Sequence, residues 1–352
     1  MSKSKIEWTD RVWNPTVGCA RVSPGCEHCY AETQAARVVL MQQAQGRESV
    51  YLPVVDVERR RWNRTCVTVP DRLEDPLRWK KPARVFVNSM SDLFHDDVPF
   101  EFIAAVFGVM AATPMHTYQI LTKRPQRMRE FFEWLDARVA EIGKGDQAVA
   151  CIAAALVAGG SKRYEAEMAL FGITAGITSH HGRNDWPLPN VWLGVSVEDQ
   201  ARADERIPVL LECPAALRFL SCEPLLGEVD LMATPVPAGI CGEGADYYNA
   251  LGGFGYFRNG EPAGGTDGER IDWVIVGGES GTGARECDLD EVLSVVGQCK
   301  AAGVPCFVKQ LGAKPTIAGR RVTSIHDRKG ADPSEWPEDL RVQKMPRAGG
   351  TR

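Results

Sequence analysis

Three cysteines near the N terminus form the motif Cys19-x6-Cys26-x2-Cys29, and their type and spacing are suited to metal chemistry. Thiolates this close together in one loop can chelate a metal ion or an iron–sulfur cluster. The remaining cysteines are scattered singly, as is typical of small buried core residues. They are Cys66, Cys151, Cys213, Cys222, Cys241, Cys287, Cys299 and Cys306.

The spacing alone leaves three interpretations open. Structural zinc normally has four protein ligands, and His28 is a candidate for the fourth. A cluster held by three cysteines would instead leave one iron open for a substrate or cofactor. Redox-active or purely structural thiols are the third alternative. Of these, the pattern favours the cluster.

The surrounding sequence carries a family resemblance. The run WTDRVWNPTVGCARVSPGCEHCYAE resembles the phage Gp37/Gp68 family, a three-cysteine-motif family also called DUF5131, and further similarity lies in VFVNSMSDLF, QILTKRP, LGVSVEDQ, FLSCEPLLG and WVIVGGESG. That family in turn resembles radical S-adenosylmethionine (SAM) enzymes of the spore-photoproduct-lyase-like branch. The resemblance implies a 4Fe-4S cluster on Cys19, Cys26 and Cys29, with S-adenosyl-L-methionine as second cofactor. The first cysteine gap departs from the usual radical SAM spacing, since it has six residues rather than three.

Short apolar runs, each ending in polar or glycine residues, predict buried parallel strands. They are Arg84–Asn88, Thr117–Thr122, Val191–Val197, Leu217–Ser221, Trp273–Gly277 and Pro305–Lys309. Helices are predicted at 31–45, Pro99–Ala112, Arg124–Ala140 and Asp288–Ala302. This alternation predicts an α/β fold, a partial TIM-type barrel of six or seven βα units, of the radical SAM kind by resemblance. We expect one domain over residues 1–352, with a helical insertion at 141–190 and a Gly-rich loop insertion at 233–270.

Residues that follow the predicted strands are candidates for the site, because βα barrels place working residues at the C-terminal ends of their strands. The resemblance implies that the segment containing Asp92 binds the methionyl amine of SAM. The full set predicted to bind the cofactor is Tyr30, Asn88, Ser89, Asp92, Lys123, Ser196 and Glu198. Cys222, Glu223 and Glu279 are predicted to be catalytic. A thiol at Cys222 could donate a hydrogen atom to a radical, with a packed core thiol as the alternative interpretation.

Composition limits the partners. The net charge of −5 gives no long-range attraction to nucleic acid, so any such contact would need a local basic patch. The candidate residues for that patch are Arg59, Arg60, Trp62, Lys123, Arg124 and Arg127, with a solvated surface as the alternative. No apolar run approaches the ~18 residues that span a bilayer. The first residues do not resemble a signal peptide, so we expect a cytoplasmic protein, in the host cytoplasm if phage-encoded.

The function expected from these features is that of a radical SAM enzyme, which generates a 5′-deoxyadenosyl radical for hydrogen abstraction. It would need an external one-electron reductant. The substrate is open, and a nucleobase in phage DNA or RNA is one candidate. Whether the reaction is that of a lyase, an isomerase or a transferase is also open. The alternative function is a non-enzymatic zinc-binding module that interacts with nucleic acid.

Overall fold

A computed structural model of the chain describes residues 4, 6–142, 151, 186–240, 244–263, 268–281 and 283–346. The chain divides into two compact units. Unit 1 comprises Met1–Arg21, Cys29–Trp192 and Pro214–Ala216, and unit 2 comprises Val22–His28, Leu193–Cys213 and Leu217–Arg352.

The main sheet has seven strands whose order in the sheet is their order in the chain. They are β1 (Arg11–Trp13), β2 (Arg84–Val87), β3 (Thr117–Thr122), β4 (Val191–Ser196), β5 (Leu217–Cys222), β6 (Trp273–Gly277) and β7 (Cys306–Gln310). Strand β2 pairs in parallel with β1 and β3, and β6 pairs in parallel with β5 and β7. This sequential parallel order makes the fold mixed α/β, compatible with a partial TIM-type fold.

The six predicted strands are all present, with ends that differ by one residue at most. Strands β4, β5 and β6 are buried along their whole length, as expected where both faces of a parallel sheet are covered. Strand β1 was not predicted, because its three residues are too few to show an apolar run.

Five helices accompany these strands within the described residues: α1 (Tyr30–Gln43), α2 (Phe100–Ala112), α3 (Pro125–Ile142), α4 (Gln200–Glu212) and α5 (Leu289–Ala302). Helix α4 was not predicted, since Pro208 lies inside it and proline removes an intrahelical hydrogen bond. Its start is fixed instead by Asp199, whose side chain accepts a hydrogen bond from the backbone N–H of Arg202. No helix of the described residues is long and apolar enough to cross a membrane.

Shorter strands form small separate sheets. In unit 1, Thr16–Val17 pairs with Val67–Thr68, and Val55–Asp56 pairs with Arg61–Trp62. In unit 2, Pro315–Ile317 pairs with Cys287–Asp288 and Arg320–Arg321.

The two predicted insertions have different outcomes. The stretch 233–270, predicted as a loop, contains an antiparallel pair of strands, Tyr247–Asn249 and Phe254–Tyr256. The helix predicted within 141–190 lies mostly outside the described residues.

Candidate cysteine-loop site

Gly18 sets the direction in which the chain enters the cysteine loop. Its φ of +91° lies in a region of backbone conformation that residues other than glycine rarely adopt. A methyl group added there would also lie 2.7 Å from Cβ of Val54, so the close approach to that residue requires glycine. The backbone N–H of Gly18 donates to the carbonyl oxygen of Met90, which fixes the loop entry beside the segment that follows β2.

Cys19 lies next to a buried cation. Arg124 Nη1 is 3.7 Å from the sulfur of Cys19 and 3.0 Å from Oδ2 of Asp92. The second nitrogen, Nη2, donates to the carbonyl oxygen of Ala20 at 3.0 Å. Arg124 is 9% exposed and Asp92 5%, so this ion pair is shielded from water. One guanidinium therefore holds both the backbone and the thiol at the start of the loop.

Asp92 is held in turn by four donors. Its Oδ1 accepts from the backbone N–H of Phe94 and from Thr122 Oγ1, at 3.0 and 2.8 Å. Its Oδ2 accepts from the backbone N–H of Lys123 at 3.1 Å and from Arg124. The carboxylate thus ties the end of β3 to the segment after β2. The role predicted for Asp92 in binding SAM stays a prediction.

The protonation of Cys19 follows from this environment. Burial and the Asp92 carboxylate raise the pKa of the Cys19 thiol to about 12, and the nearby Arg124 guanidinium opposes the shift. Without a metal the thiol is therefore protonated at neutral pH and is a poor nucleophile. A metal centre would have to displace that proton on binding.

Cys29 occupies a different position in unit 1. It is the N-cap residue of α1, and its side chain makes no capping hydrogen bond. The N terminus of a 14-residue helix carries a partial positive charge, which favours an anionic group beside it. Cys19 and Cys29 both pack, partly buried, against the core cluster that includes Ala35 and Val54.

Cys26 lies in unit 2, at the end of a short 3-10 turn over Pro24–Cys26. Glu198, which is fully buried, lies against this turn. Its Oε1 accepts from Ser23 Oγ at 2.7 Å, and its Oε2 accepts from Arg206 Nη1 at 3.0 Å. A methyl group added to Gly25 would lie 2.8 Å from Cδ of Glu198, so the turn packs directly on the carboxylate.

Glu279 binds the same loop segment of unit 2 through two partners. Its Oε2 lies 2.9 Å from Nδ1 of His28. Arg285 donates from Nη2 to Oε1 at 2.8 Å and from Nε to Oε2 at 3.1 Å, and its Nη1 donates to the carbonyl oxygen of Pro24 at 2.9 Å. Burial opposes ionisation, but the hydrogen bonds from Arg285 and His28 hold the pKa of Glu279 below its ordinary value. The carboxylate is therefore charged at neutral pH.

Asn88 is the strained residue of the site. It follows β2 with a φ of +60°, which costs energy for a residue other than glycine. Its Nδ2 donates to Thr16 Oγ1 at 2.8 Å, but its buried Oδ1 has no hydrogen-bond partner. A buried acceptor without a donor is costly, so Asn88 Oδ1 is an acceptor that a ligand or a water molecule could use.

The other residues predicted to bind the cofactor have partners within their own unit. In unit 1, Tyr30 donates its hydroxyl to the carbonyl oxygen of Ser89, whose Oγ lies 3.3 Å from Oδ1 of Asn14. Lys123 is partly buried. In unit 2, the carbonyl oxygen of Ser196 accepts from the buried Arg206.

The predicted catalytic residues after β5 belong to unit 2. Glu223 forms an ion pair with Lys309 at the end of β7, with 3.1 Å between Nζ and Oε1. Cys222 is fully buried at the end of β5, and burial first, then neighbouring Cys306 and Glu223, raise the pKa of its thiol. Its thiol is therefore protonated and packed in the core.

The predicted nucleic-acid patch needs correction. Trp62 is only 8% exposed, and its burial leaves no free ring face for stacking on a base. Arg124 is buried and paired with Asp92, so it is not available for phosphate. Arg127 is tied to the carbonyl oxygens of His95 and Val98. Of the predicted patch, only Arg59 and Arg60 are exposed. They lie in the turn between the strands Val55–Asp56 and Arg61–Trp62.

The sequence did not identify Arg206 and Arg285. Arg206 binds Glu198, which contacts the 3-10 turn, and Arg285 binds both Glu279 and the carbonyl oxygen of Pro24. Neither follows a strand directly, and no motif marks them. The one available signal was indirect: a carboxylate that becomes buried at a strand end needs a cationic partner.

Among the described residues, no group of three or more His, Cys, Asp or Glu side chains is arranged to hold a metal ion.

A family model matches the chain over nearly its whole length. It is described as "Protein of unknown function (DUF5131)" and matches residues 3–338. The chain therefore belongs to the DUF5131 family. No curated protein and no solved structure matches it.

Proposed function

We propose that this protein is a radical SAM iron–sulfur enzyme in which Cys19, Cys26 and Cys29 hold a 4Fe-4S cluster. When bound, the cluster would supply the electron that cleaves SAM and so provides a radical for hydrogen abstraction from the substrate. An external one-electron reductant would supply that electron. That one cluster binds all three cysteines rests on their spacing in the sequence and on the resemblance of the motif.

The observation that best supports the proposal is the positive environment of two of the thiols. Cys19 lies 3.7 Å from the Arg124 guanidinium, and Cys29 lies at the N terminus of α1. A cluster bound by thiolates carries net negative charge, and its stability depends on the charges and hydrogen bonds around its sulfurs. Arg124 beside Cys19 and the helix N terminus beside Cys29 would therefore each favour a bound anionic centre, while burial and Asp92 disfavour a free Cys19 thiolate.

Asn88 supports the second cofactor. Its unpartnered, buried Oδ1 and its strained backbone after β2 suit an acceptor for an ammonium or hydroxyl donor of SAM. Asp92 already accepts four hydrogen bonds, so in this proposal it holds Arg124 and the end of β3 in place.

The test is anaerobic reconstitution with iron and sulfide, followed by metal and sulfide analysis. We expect a brown protein with about four irons, held by cysteines as in other clusters of this type. A variant with all three cysteines changed to alanine should take up none. Cys66→Ala, at a buried thiol outside the motif, should retain the full content. Stoichiometric zinc without sulfide would contradict the proposal and favour the zinc-binding alternative.

SAM is tested separately on the reconstituted protein. With dithionite as reductant, the wild type should cleave SAM slowly even without substrate, and 5′-deoxyadenosine should appear. Asn88→Ala should bind SAM more weakly while it keeps its iron. An Asn88→Ala variant with unchanged SAM affinity would remove Asn88 from the proposed site.

A further inference from the structure

We infer that Arg124 is a positioning residue for the ligand Cys19, and that its charge, balanced by Asp92, sets the redox potential of the centre that this cysteine holds. The inference rests on the proposed cluster. It extends that proposal to a residue pair for which the sequence motif gives no such role.

The guanidinium of Arg124 reaches three acceptors. Nη1 reaches both the Cys19 sulfur and Oδ2 of Asp92, while Nη2 reaches the carbonyl oxygen of Ala20. Three acceptors in different directions are met by one planar group, which is the particular ability of arginine. Lysine would keep the charge but could not reproduce the fork.

Arg124 is itself held in place by a hydrogen-bond network. The backbone N–H of Arg124 donates to Thr122 Oγ1 at 2.9 Å, and that hydroxyl donates to Asp92. The salt bridge, the hydroxyl and the backbone thus form one closed network at the end of β3. Arginine keeps its charge even when buried, so Asp92 balances the charge of Arg124 and helps to hold its guanidinium in place.

Arg124 and Asp92 would have electrostatic effects of opposite sign on a cluster bound at Cys19. Reduction adds one negative charge to the cluster. A cation beside a ligand sulfur stabilises the reduced form more than the oxidised form, and a nearby carboxylate has the opposite effect. Loss of the Arg124 charge should therefore make the midpoint potential more negative, and loss of the Asp92 charge should make it less negative. General structural damage would not produce shifts of opposite sign.

The experiment compares four variants of the reconstituted full-length protein with the wild type: Arg124→Gln, Arg124→Lys, Asp92→Asn and Arg84→Gln. Arg84 is the matched control, because it forms an ion pair with Asp10 at the start of β2 rather than beside the cysteine loop. Midpoint potentials come from redox titration followed by electron paramagnetic resonance. Iron release to a chelator is measured in parallel.

We expect a more negative potential and several-fold faster iron release in Arg124→Gln, and a less negative potential in Asp92→Asn. Arg124→Lys should keep a potential near that of the wild type but release iron faster. Arg84→Gln should match the wild type in both. Potentials in Arg124→Gln and Asp92→Asn that equal the wild type, or move in the same direction, would overturn the inference.

A second measurement covers variants that fail to take up iron. Amide hydrogen exchange of the iron-free proteins reports whether the loop entry is held in place at Gly18, whose N–H donates to the Met90 carbonyl oxygen. Faster exchange there in Arg124→Gln and Arg124→Lys, but not in Arg84→Gln, supports the positioning role, and unchanged exchange overturns it. If the wild type itself binds no iron or sulfide, the proposed function fails, and exchange still decides whether Arg124 holds the loop.

Discussion

At the scale of single residues, the strand-end carboxylates are each neutralised by a cation of the same unit. Asp92 binds Arg124, Glu198 binds Arg206, and Glu279 binds Arg285. Strand-end position predicts the carboxylates, because βα folds gather polar side chains there. It does not predict their partners, since a buried charge recruits whichever cation the tertiary structure brings near.

The ion pair of Glu198 and Arg206 is the most buried of the three, and a substitution at Glu198 tests the pairing. Arg206 is 1% exposed, so Glu198→Gln leaves an uncompensated buried cation. Removal of one partner of a buried ion pair costs about 3–5 kcal/mol of unfolding free energy. Denaturant unfolding of the iron-free protein should show a loss of that order. Glu205→Gln, at an exposed position on α4, should change stability by no more than about 0.5 kcal/mol. Equal stability of the two variants would contradict the pairing.

Glu279 gives a pH dependence. Its folded-state pKa lies below its ordinary value of 4.5, so its ionised form contributes stability that is fully present above that value. That contribution is lost as pH falls through the lower folded-state pKa, because the unfolded chain then binds the proton more readily. Urea unfolding of the iron-free protein between pH 7 and pH 3 should show the loss. Glu279→Gln should show a shallower decline over this window, and an identical slope would exclude the effect.

At the scale of elements, sequence periodicity predicted the six longer strands and four helices, because apolar runs and helical spacing are local properties. It could not predict the packing of the 3-10 turn Pro24–Cys26 on Glu198, since these residues are far apart in the chain. The glycine within the turn is visible in the sequence, but the need for it appears only with the carboxylate in place.

Gly25→Ala therefore tests the turn. The added methyl group would lie 2.8 Å from Cδ of the buried Glu198, so the turn that carries Cys26 must shift. We expect lower iron uptake with little change in the secondary structure seen by circular dichroism. Gly297→Ala is the matched control, because an added methyl group on α5 meets nothing within 4 Å. Full iron content in Gly25→Ala would show that the turn tolerates displacement or that Cys26 is not a ligand.

At the scale of the whole molecule, the sequence predicted the α/β class and the sequential parallel sheet but not the division into two units. The chain crosses between the units several times, and the cysteine motif itself is divided, with Cys26 in unit 2. Domain boundaries are predicted from a sequence by linkers and shifts in composition, and no such signal accompanies the points where the chain passes from one unit to the other.

The charge distribution bears on the candidate nucleic-acid substrate. With a net charge of −5, binding would depend on a local patch, and exposed arginines remain near the turn between Val55–Asp56 and Arg61–Trp62. If they contact phosphate, oligonucleotide affinity should fall steeply as salt rises, because bound counterions are released. Arg60→Glu should weaken binding and lower the salt slope by about one per lost contact.

Trp62→Phe should not selectively weaken single-stranded binding, since Trp62 is buried. Arg138→Glu, at an exposed arginine on α3, is the control for net charge. Absence of binding at low salt, or equal loss in Arg60→Glu and Arg138→Glu, would favour a peptide or small-molecule substrate.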